Sequence, residues 1–92
     1  MPKVVVTAQV EDAVKWENGF RTHADLFRSM TITTPMCFAI NDSNEVAVYA
    51  EPSDLAKYME ILGSPATAEA MAENTVKRET VKVYVLDKEF QP

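Results

Sequence analysis

The residues with the clearest chemical potential lie in one stretch, 10–30, which holds the only histidine and the only tryptophan of the chain. Trp16, Phe20, His23 and Phe27 recur at intervals of three or four residues, which places them on one side of an α-helix. Because an unperturbed imidazole titrates near neutral pH, His23 could act as a general base or as a hydrogen-bonding group for a ligand. The alternative is a buried imidazole that bonds a carbonyl and contributes only packing.

The aromatic side chains of this stripe have two interpretations. They could form the walls of a pocket for a flat or long apolar ligand, because aromatic groups bury a large area with few rotamers to fix. Such a stripe is also typical of an ordinary core face. Tyr58 and Tyr84 carry hydroxyls that could orient a ligand carbonyl or simply reach solvent, and Arg28 lies close enough to Asp25 for a surface ion pair.

Other kinds of chemistry find little support in the residues. Cys37 stands in a β-branched and apolar run without a neighbouring Cys or His, which predicts an inert buried thiol. One His, one Cys and scattered carboxylates match no recognised metal-ligand spacing. The chain has only two glycines, Gly19 and Gly63, so it contains no phosphate-binding glycine loop.

Composition predicts one globular domain spanning residues 1–92. Apolar residues make up 47% and charged residues 25% of the chain, which is enough apolar area to build a core. A formal charge of −5 repels phosphate backbones, so we expect no nucleic-acid partner. No apolar run approaches the ~20 residues of a membrane span, and residues 1–9 lack the apolar segment of a signal peptide, which predicts a cytoplasmic protein with no membrane partner.

Hydrophobic periodicity predicts the elements that position the aromatic stripe. Residues 3–10 alternate as a strand, and the period changes at Asp12, the expected N-cap of a single helix over 13–29. Gly19 inside that helix indicates close approach to another backbone. Further strands are predicted over 36–40, 45–50 and 80–86, with a turn at 41–44, a helix from Asp54 to a stop at Gly63, and a short helix after Ser64-Pro65. No internal repeat is evident.

The order strand, helix, strand, strand, helix pair, strand predicts an α+β fold of the ferredoxin-like βαββαβ type, with a four-stranded antiparallel sheet. Helices on one side leave a second sheet face that carries either their neighbours of opposite parity or the set Val5, Thr7, Cys37, Ala39, Ala47, Tyr49, Tyr84 and Leu86. Such a patch would invite association. We therefore expect a two-fold homodimer joined through the sheet faces.

A known family shows a similar arrangement of residues. The first strand leads into Val10-Glu11-Asp12, followed by Trp16, Phe20, His23 and Arg28. Later matching features are Asn44-Glu45-Val46, Asp54-Leu55, Ser64-Pro65 and Val83-Tyr84-Val85. This pattern resembles the small cyclase-like group of the dimeric α/β-barrel superfamily, which also includes antibiotic biosynthesis monooxygenases. Two loops depart from it, because Met30-Thr31 and Asn74-Thr75-Val76 stand where the family often has Gly and Ala-Gly-Val.

The resemblance implies a homodimer with an apolar cavity between sheet and helices that binds a small lipophilic molecule. Any activity would be of the cofactor-free monooxygenase or cyclase type, with His23 as the catalytic candidate. Ligand-binding candidates are Trp16, Phe20, His23, Phe27, Arg28, Tyr58 and Tyr84. Among them, Arg28 could anchor a ligand carboxylate at the cavity mouth. The competing hypothesis is a non-catalytic module with a close-packed core that acts through its stability or through protein partners.

Overall fold

A computed structural model describes all 92 residues as four strands and four helices. The elements in chain order are β1 (Val4–Val10), α1 (Ala13–Phe20), α2 (Ala24–Ser29), β2 (Cys37–Ile40), β3 (Glu45–Ala50), α3 (Leu55–Leu62), α4 (Pro65–Glu73) and β4 (Val76–Val85). The strands form one antiparallel sheet in the order β2-β3-β1-β4. The predicted ferredoxin-like α+β fold is therefore confirmed. No helix is both long enough and apolar enough to cross a bilayer.

The inner face of the sheet carries the core. Alternate residues of β1 point toward the helices, and the antiparallel register places Val6 opposite Val48 and Ala8 opposite Val46 on that same side. The buried residues gather in two clusters, Val4 with Met30, Ile32, Ala50 and Tyr58, and Ala8 with Val10, Trp16 and Val46. In both halves of the sheet, the residues that face the helices are therefore every second residue of the strand, as the alternation of apolar residues in the sequence predicts.

The prediction of a single helix over residues 13–29 is wrong, because the chain forms a turn at residues 21–23 between α1 and α2. The Gly19 carbonyl accepts hydrogen bonds from the Thr22 amide at 3.0 Å and the Thr22 hydroxyl at 2.6 Å. The Nδ1 atom of His23 lies 2.7 Å from the same oxygen. These local bonds compete with the helical ladder and end α1. As a result Ala24, which the helical spacing places on the inner side, is exposed.

The structure also contains an internal repeat that we did not predict. Asp12 and Asp54 are the N-caps of α1 and α3, and their side chains accept hydrogen bonds from the amides of Lys15 and Lys57, each at 3.0 Å. The same segments read DAVKW at 12–16 and DLAKY at 54–58. The short signature Asp-x-x-Lys-aromatic therefore marks the start of the helical layer in both halves of the fold.

Two threonines occupy equivalent positions after the second helix of each half of this repeat. Thr31 and Thr75 follow α2 and α4 with φ values of 67° and 65°, a left-handed conformation that costs a β-branched residue about 1–3 kcal/mol. The Thr31 hydroxyl accepts from the Asp54 amide at 3.0 Å and donates to its carbonyl at 3.3 Å. Thr75 makes the same pair of bonds with Asp12, at 3.2 and 3.3 Å. Each half thus fastens the helix start of the other, which offsets the backbone cost.

The register of the strands decides which of the two alternative sets of residues lies on the outer face of the sheet, and it is the set that contains Val5 and Thr7. Thr7 lies opposite Ala47, which lies opposite Ala39, and Val5 lies between Tyr49 and Tyr84. This face is open to solvent in the single chain. The prediction that Cys37 is a buried thiol is therefore wrong, because its position in β2 places its side chain on this exposed outer face.

The fourth strand is longer than predicted. It begins at Val76 rather than at residue 80, because an irregularity in its pairing with β1 between Thr7 and Gln9 interrupts the alternation seen in the sequence. At that point the Gln9 amide donates to the Thr80 hydroxyl at 2.8 Å instead of to a strand carbonyl. Residues 87–92 form no regular structure and are exposed, as expected of a surface arm.

Candidate functional site

A cavity of about 110 Å³ lies between the helices and the inner face of the sheet. Seventeen of the twenty residues that line it are hydrophobic, so its interior favours apolar ligands. The three exceptions are His23, Thr67 and Asn74. The floor is built by β1 and β3, and all four helices contribute to the walls.

Five of the seven predicted ligand-binding residues line this cavity: Trp16, Phe20, His23, Phe27 and Tyr58. The other two lie elsewhere. Arg28 is 67% exposed and pairs with Asp25 at 2.7 Å on the surface of α2. Tyr84 is half-exposed on the outer face of the sheet. The structure thus brings the aromatic stripe and Tyr58 together and keeps Arg28 and Tyr84 apart from them.

The aromatic wall is a connected cluster of rings. The centroid of Phe20 lies 5.0 Å from that of Trp16, 4.9 Å from that of Phe27 and 4.8 Å from that of Phe38. Trp16 and Phe38 meet edge to face at 5.6 Å. Because each ring packs on another, few rotamers remain open and the wall is rigid. The sequence analysis did not single out Phe38, although the alternation of β2 places it on the inner face.

The hydrogen bond from His23 to Gly19 decides which imidazole nitrogen is available. A carbonyl can only accept, so Nδ1 of His23 carries the proton that it donates to the Gly19 oxygen at 2.7 Å. In the neutral ring Nε2 then holds a lone pair. His23 is half-buried and lines the cavity. The site therefore contains one basic nitrogen whose tautomer is fixed by the turn that separates α1 from α2.

Two further donors belong to the site besides the lining residues His23, Thr67 and Asn74. Trp16 and Tyr58 are each only 4% exposed and occupy equivalent positions in the internal repeat. The indole N–H and the phenol hydroxyl bond no other group of the chain and keep some accessible surface, so each can bond water or a ligand. Desolvation by burial raises the pKa of Tyr58 to about 12, so the hydroxyl stays protonated at neutral pH and remains a donor.

The face of α4 that lines the cavity differs from the predicted one. Helical spacing of the apolar residues after Ser64-Pro65 predicts Ala68, Met71 and Ala72 as the inward face, but Ala72 is exposed and the lining consists of Thr67, Ala70, Met71 and Asn74. Polar residues at 67 and 74 obscured this face in a reading based on hydrophobicity. The Thr67 hydroxyl is satisfied locally, because it donates to the Ile61 carbonyl at 2.6 Å.

Asn74 explains the glycine in α1. A Cβ atom added to Gly19 would collide with the Asn74 side-chain amide. The close neighbour is therefore a side chain, whereas we predicted a backbone. This contact joins the end of α4 to α1 beside His23, at one rim of the cavity. No group of three His, Cys, Asp or Glu side chains is arranged to hold a metal ion.

The fold and this cavity define a class of small ferredoxin-like α+β domains with a ligand-sized space between helices and sheet. No family model and no curated protein matches the sequence. Solved structures do share its fold. SnoaB, a cofactor-independent oxygenase from Streptomyces nogalater, is 14% identical, with a TM-score of 0.69 over 98% of this chain and 94% of that one.

Two further structures carry a related description. An antibiotic biosynthesis monooxygenase aligns over 97% of this chain and 99% of its own with 13% identity and a TM-score of 0.68. A protein from Bordetella bronchiseptica, provisionally named an antibiotic biosynthesis monooxygenase, is 11% identical with a TM-score of 0.74 and covers 97% of both chains. The chain thus has the ferredoxin-like fold of these proteins, as its sequence motifs suggested.

We expect Gly19→Ala to lower the free energy of unfolding by about 1–3 kcal/mol, because the added methyl group meets the Asn74 amide in a packed site. In an Asn74→Ala background the same change should be neutral or stabilising by up to about 1 kcal/mol, since Ala is the better helix former. Urea unfolding of the four proteins completes the double-mutant cycle. Additive effects would contradict the contact.

The raised pKa of Tyr58 predicts a loss of stability at alkaline pH. In the unfolded chain this hydroxyl releases its proton near pH 10, whereas the folded protein holds it up to about pH 12. Between these values the free energy of unfolding should therefore fall with rising pH, by up to about 1.4 kcal/mol per pH unit from this group. Tyr58→Phe should remove this component in urea unfolding between pH 9 and 11.5. Tyr84→Phe, on the outer face, should retain it.

Proposed function

We propose that this protein is a homodimer that binds a small lipophilic molecule in the cavity between helices and sheet and transfers a proton at His23. The observation that carries the proposal is the lone basic nitrogen, Nε2 of His23, in an otherwise apolar and aromatic cavity. A base in such surroundings acts on a bound substrate with little competition from water. Trp16, Phe20 and Phe27 hold the ring or chain of the ligand.

The proposed reaction is of the cofactor-free monooxygenase or cyclase kind. His23 accepts a proton from an acidic C–H or O–H bond of the substrate and leaves an electron-rich anion. In a cyclase-like step this anion attacks a carbonyl of the same molecule. In an oxygenase-like step a CH₂ group and O₂ give a carbonyl and water, so the substrate itself supplies all the electrons. The oxygenase-like alternative has a parallel in SnoaB, which shares this fold and is described as a cofactor-independent oxygenase.

Homodimerisation through the outer sheet face is the second part of the proposal. Small side chains lie side by side on three strands at the centre of that face, Thr7, Ala39 and Ala47, and Lys82 of β4 lies next to Thr7 in the same row. At its edge Tyr84 is 50% and Leu86 48% exposed. A chain of 92 residues buries only about 60–65% of its unfolded surface alone, so covering this face would add stability that the monomer lacks.

Two observations favour the non-catalytic alternative. Nδ1 of His23 bonds the Gly19 carbonyl at 2.7 Å, which is the bond expected of an imidazole that contributes only packing. The rings of Trp16, Phe20 and Phe38 already pack at centroid distances of 4.8–5.6 Å, as they do in an ordinary core. A module of this kind would act through its stability or through protein partners. Its cavity would be a packing defect that no natural compound occupies.

Native mass spectrometry of freshly purified protein tests the binding proposal. The wild-type protein should carry extra mass from a co-purified compound that organic solvent extracts. Ala70→Phe, which fills the cavity from α4, should abolish this mass, whereas Ala72→Phe, an exposed neighbour on the same helix, should retain it. With the extracted compound as substrate, His23→Asn should slow turnover by about 10²–10⁴-fold, because Asn keeps a donor for Gly19 but lacks the base.

Protein without any bound mass, together with no uptake of small aromatic compounds, would contradict the proposal and favour the non-catalytic module. Unchanged turnover in His23→Asn would confine the role of His23 to packing and refute proton transfer at this residue. Circular dichroism of each variant provides the control for folding.

Light scattering tests the dimer. We expect wild-type protein at micromolar concentration to have twice the mass of one chain. Ala47→Glu should shift it to monomer, because the new carboxylate would be buried without a partner at the centre of the interface. Ala56→Glu, on the exposed side of α3, should leave the dimer intact. A wild-type monomer under these conditions would show that the outer face stays open.

A further inference from the structure

We infer that the cavity takes a neutral, single-ring compound that carries a hydroxyl or carbonyl oxygen. This inference rests on the proposed binding function and specifies its ligand by size, charge and polarity. It follows from three properties of the cavity: its volume, the absence of Lys, Arg, Asp and Glu from its lining, and the donors of Trp16 and Tyr58, which bond no other group of the chain.

The volume fits a ligand of about one ring. The cavity measures about 110 Å³, and an engineered apolar cavity of about 150 Å³ in another protein holds benzene. Its aromatic wall is packed, because Phe20 lies against Trp16, Phe27 and Phe38 at centroid distances of 4.8–5.0 Å. Two or three fused rings would exceed this volume, so they would have to project from the open side of the cavity or move these side chains apart.

The lining residues disfavour a charged ligand. None of the twenty is Lys, Arg, Asp or Glu, and an unpaired charge in apolar surroundings is strongly disfavoured. Arg28, which could have anchored a carboxylate, lies on the surface with Asp25. A carboxylate or phosphate would therefore lose its hydration and find no counter-charge other than a protonated His23.

The polar groups select a ligand that contains oxygen. Trp16 and Tyr58 each contribute a donor that bonds no other group of the chain, and the Asn74 amide also lines the cavity. A ligand that covers these groups displaces their water, and a hydrogen bond left unmade after that is costly. A hydroxyl or carbonyl oxygen accepts from these donors, whereas a hydrocarbon leaves them unpaired. The hydroxyl proton of such a ligand can in turn be donated to Nε2 of His23. Thr67 adds no donor, because its hydroxyl already bonds the Ile61 carbonyl.

A panel of four probes tests each property in turn: phenol, toluene, 1-naphthol and benzoate. We expect isothermal titration calorimetry to show phenol binding about tenfold more tightly than toluene, which has the same ring but no oxygen. 1-Naphthol tests the volume and benzoate tests the charge, and both should bind at least tenfold more weakly than phenol. The single indole N–H signal of Trp16 in the nitrogen–proton correlation spectrum should shift with phenol and hardly move with toluene.

Tyr58→Phe separates hydrogen bonding from ring burial. It should reduce phenol affinity toward that of toluene and leave toluene binding unchanged, whereas the matched control Tyr84→Phe should alter neither. Equal affinity for phenol and toluene, or tighter binding of 1-naphthol or benzoate, would overturn the inference while leaving the proposed function standing. If none of the four binds although the purified protein carries a bound compound, only the inference fails. If nothing binds and no compound co-purifies, both fail.

Discussion

The carbonyl oxygen of Gly19 is the point on which the candidate site depends. It accepts hydrogen bonds from the amide and hydroxyl of Thr22 and from Nδ1 of His23, which ends α1 and turns the chain into α2. The same contact fixes the imidazole tautomer and leaves Nε2 as the basic atom. Asn74 packs against this glycine from the opposite half of the fold. One backbone group therefore links the helix break, the orientation of His23 and the rim of the cavity.

The internal repeat explains why two amphipathic aromatic residues, each with one donor, line the cavity. Asp12 and Asp54 cap equivalent helices, and the aromatic residue four positions later is Trp16 in one half and Tyr58 in the other. The left-handed threonines that follow α2 and α4 hold each cap from the other half. Symmetric anchoring of the two helix starts brings two amphipathic rings, each with one polar hydrogen, into the wall of the same cavity.

The sheet separates the two proposed activities of the molecule. Its inner face, with Val6, Ala8, Val46 and Val48, forms the floor of the cavity and determines what kind of ligand fits. Its outer face carries a second apolar surface that nothing in the single chain covers. Because successive residues of a strand point to opposite faces, a change in one face leaves the chemistry of the other largely intact. Binding and association can therefore be altered by separate substitutions.

The sequence alone determined the ferredoxin-like fold and the order of the strands and helical segments, because strand alternation and N-caps such as Asp12 are local signals. It also predicted the stripe of Trp16, Phe20, His23 and Phe27, all of which line the cavity, but not the turn that divides the predicted helix into α1 and α2. Only the tertiary structure decided that Tyr58 joins this stripe and that Arg28 and Tyr84 do not. It also decided that Asn74 fills the space beside Gly19. Those outcomes depend on how distant segments pack and on side-chain hydrogen bonds, which no local pattern of hydrophobicity encodes.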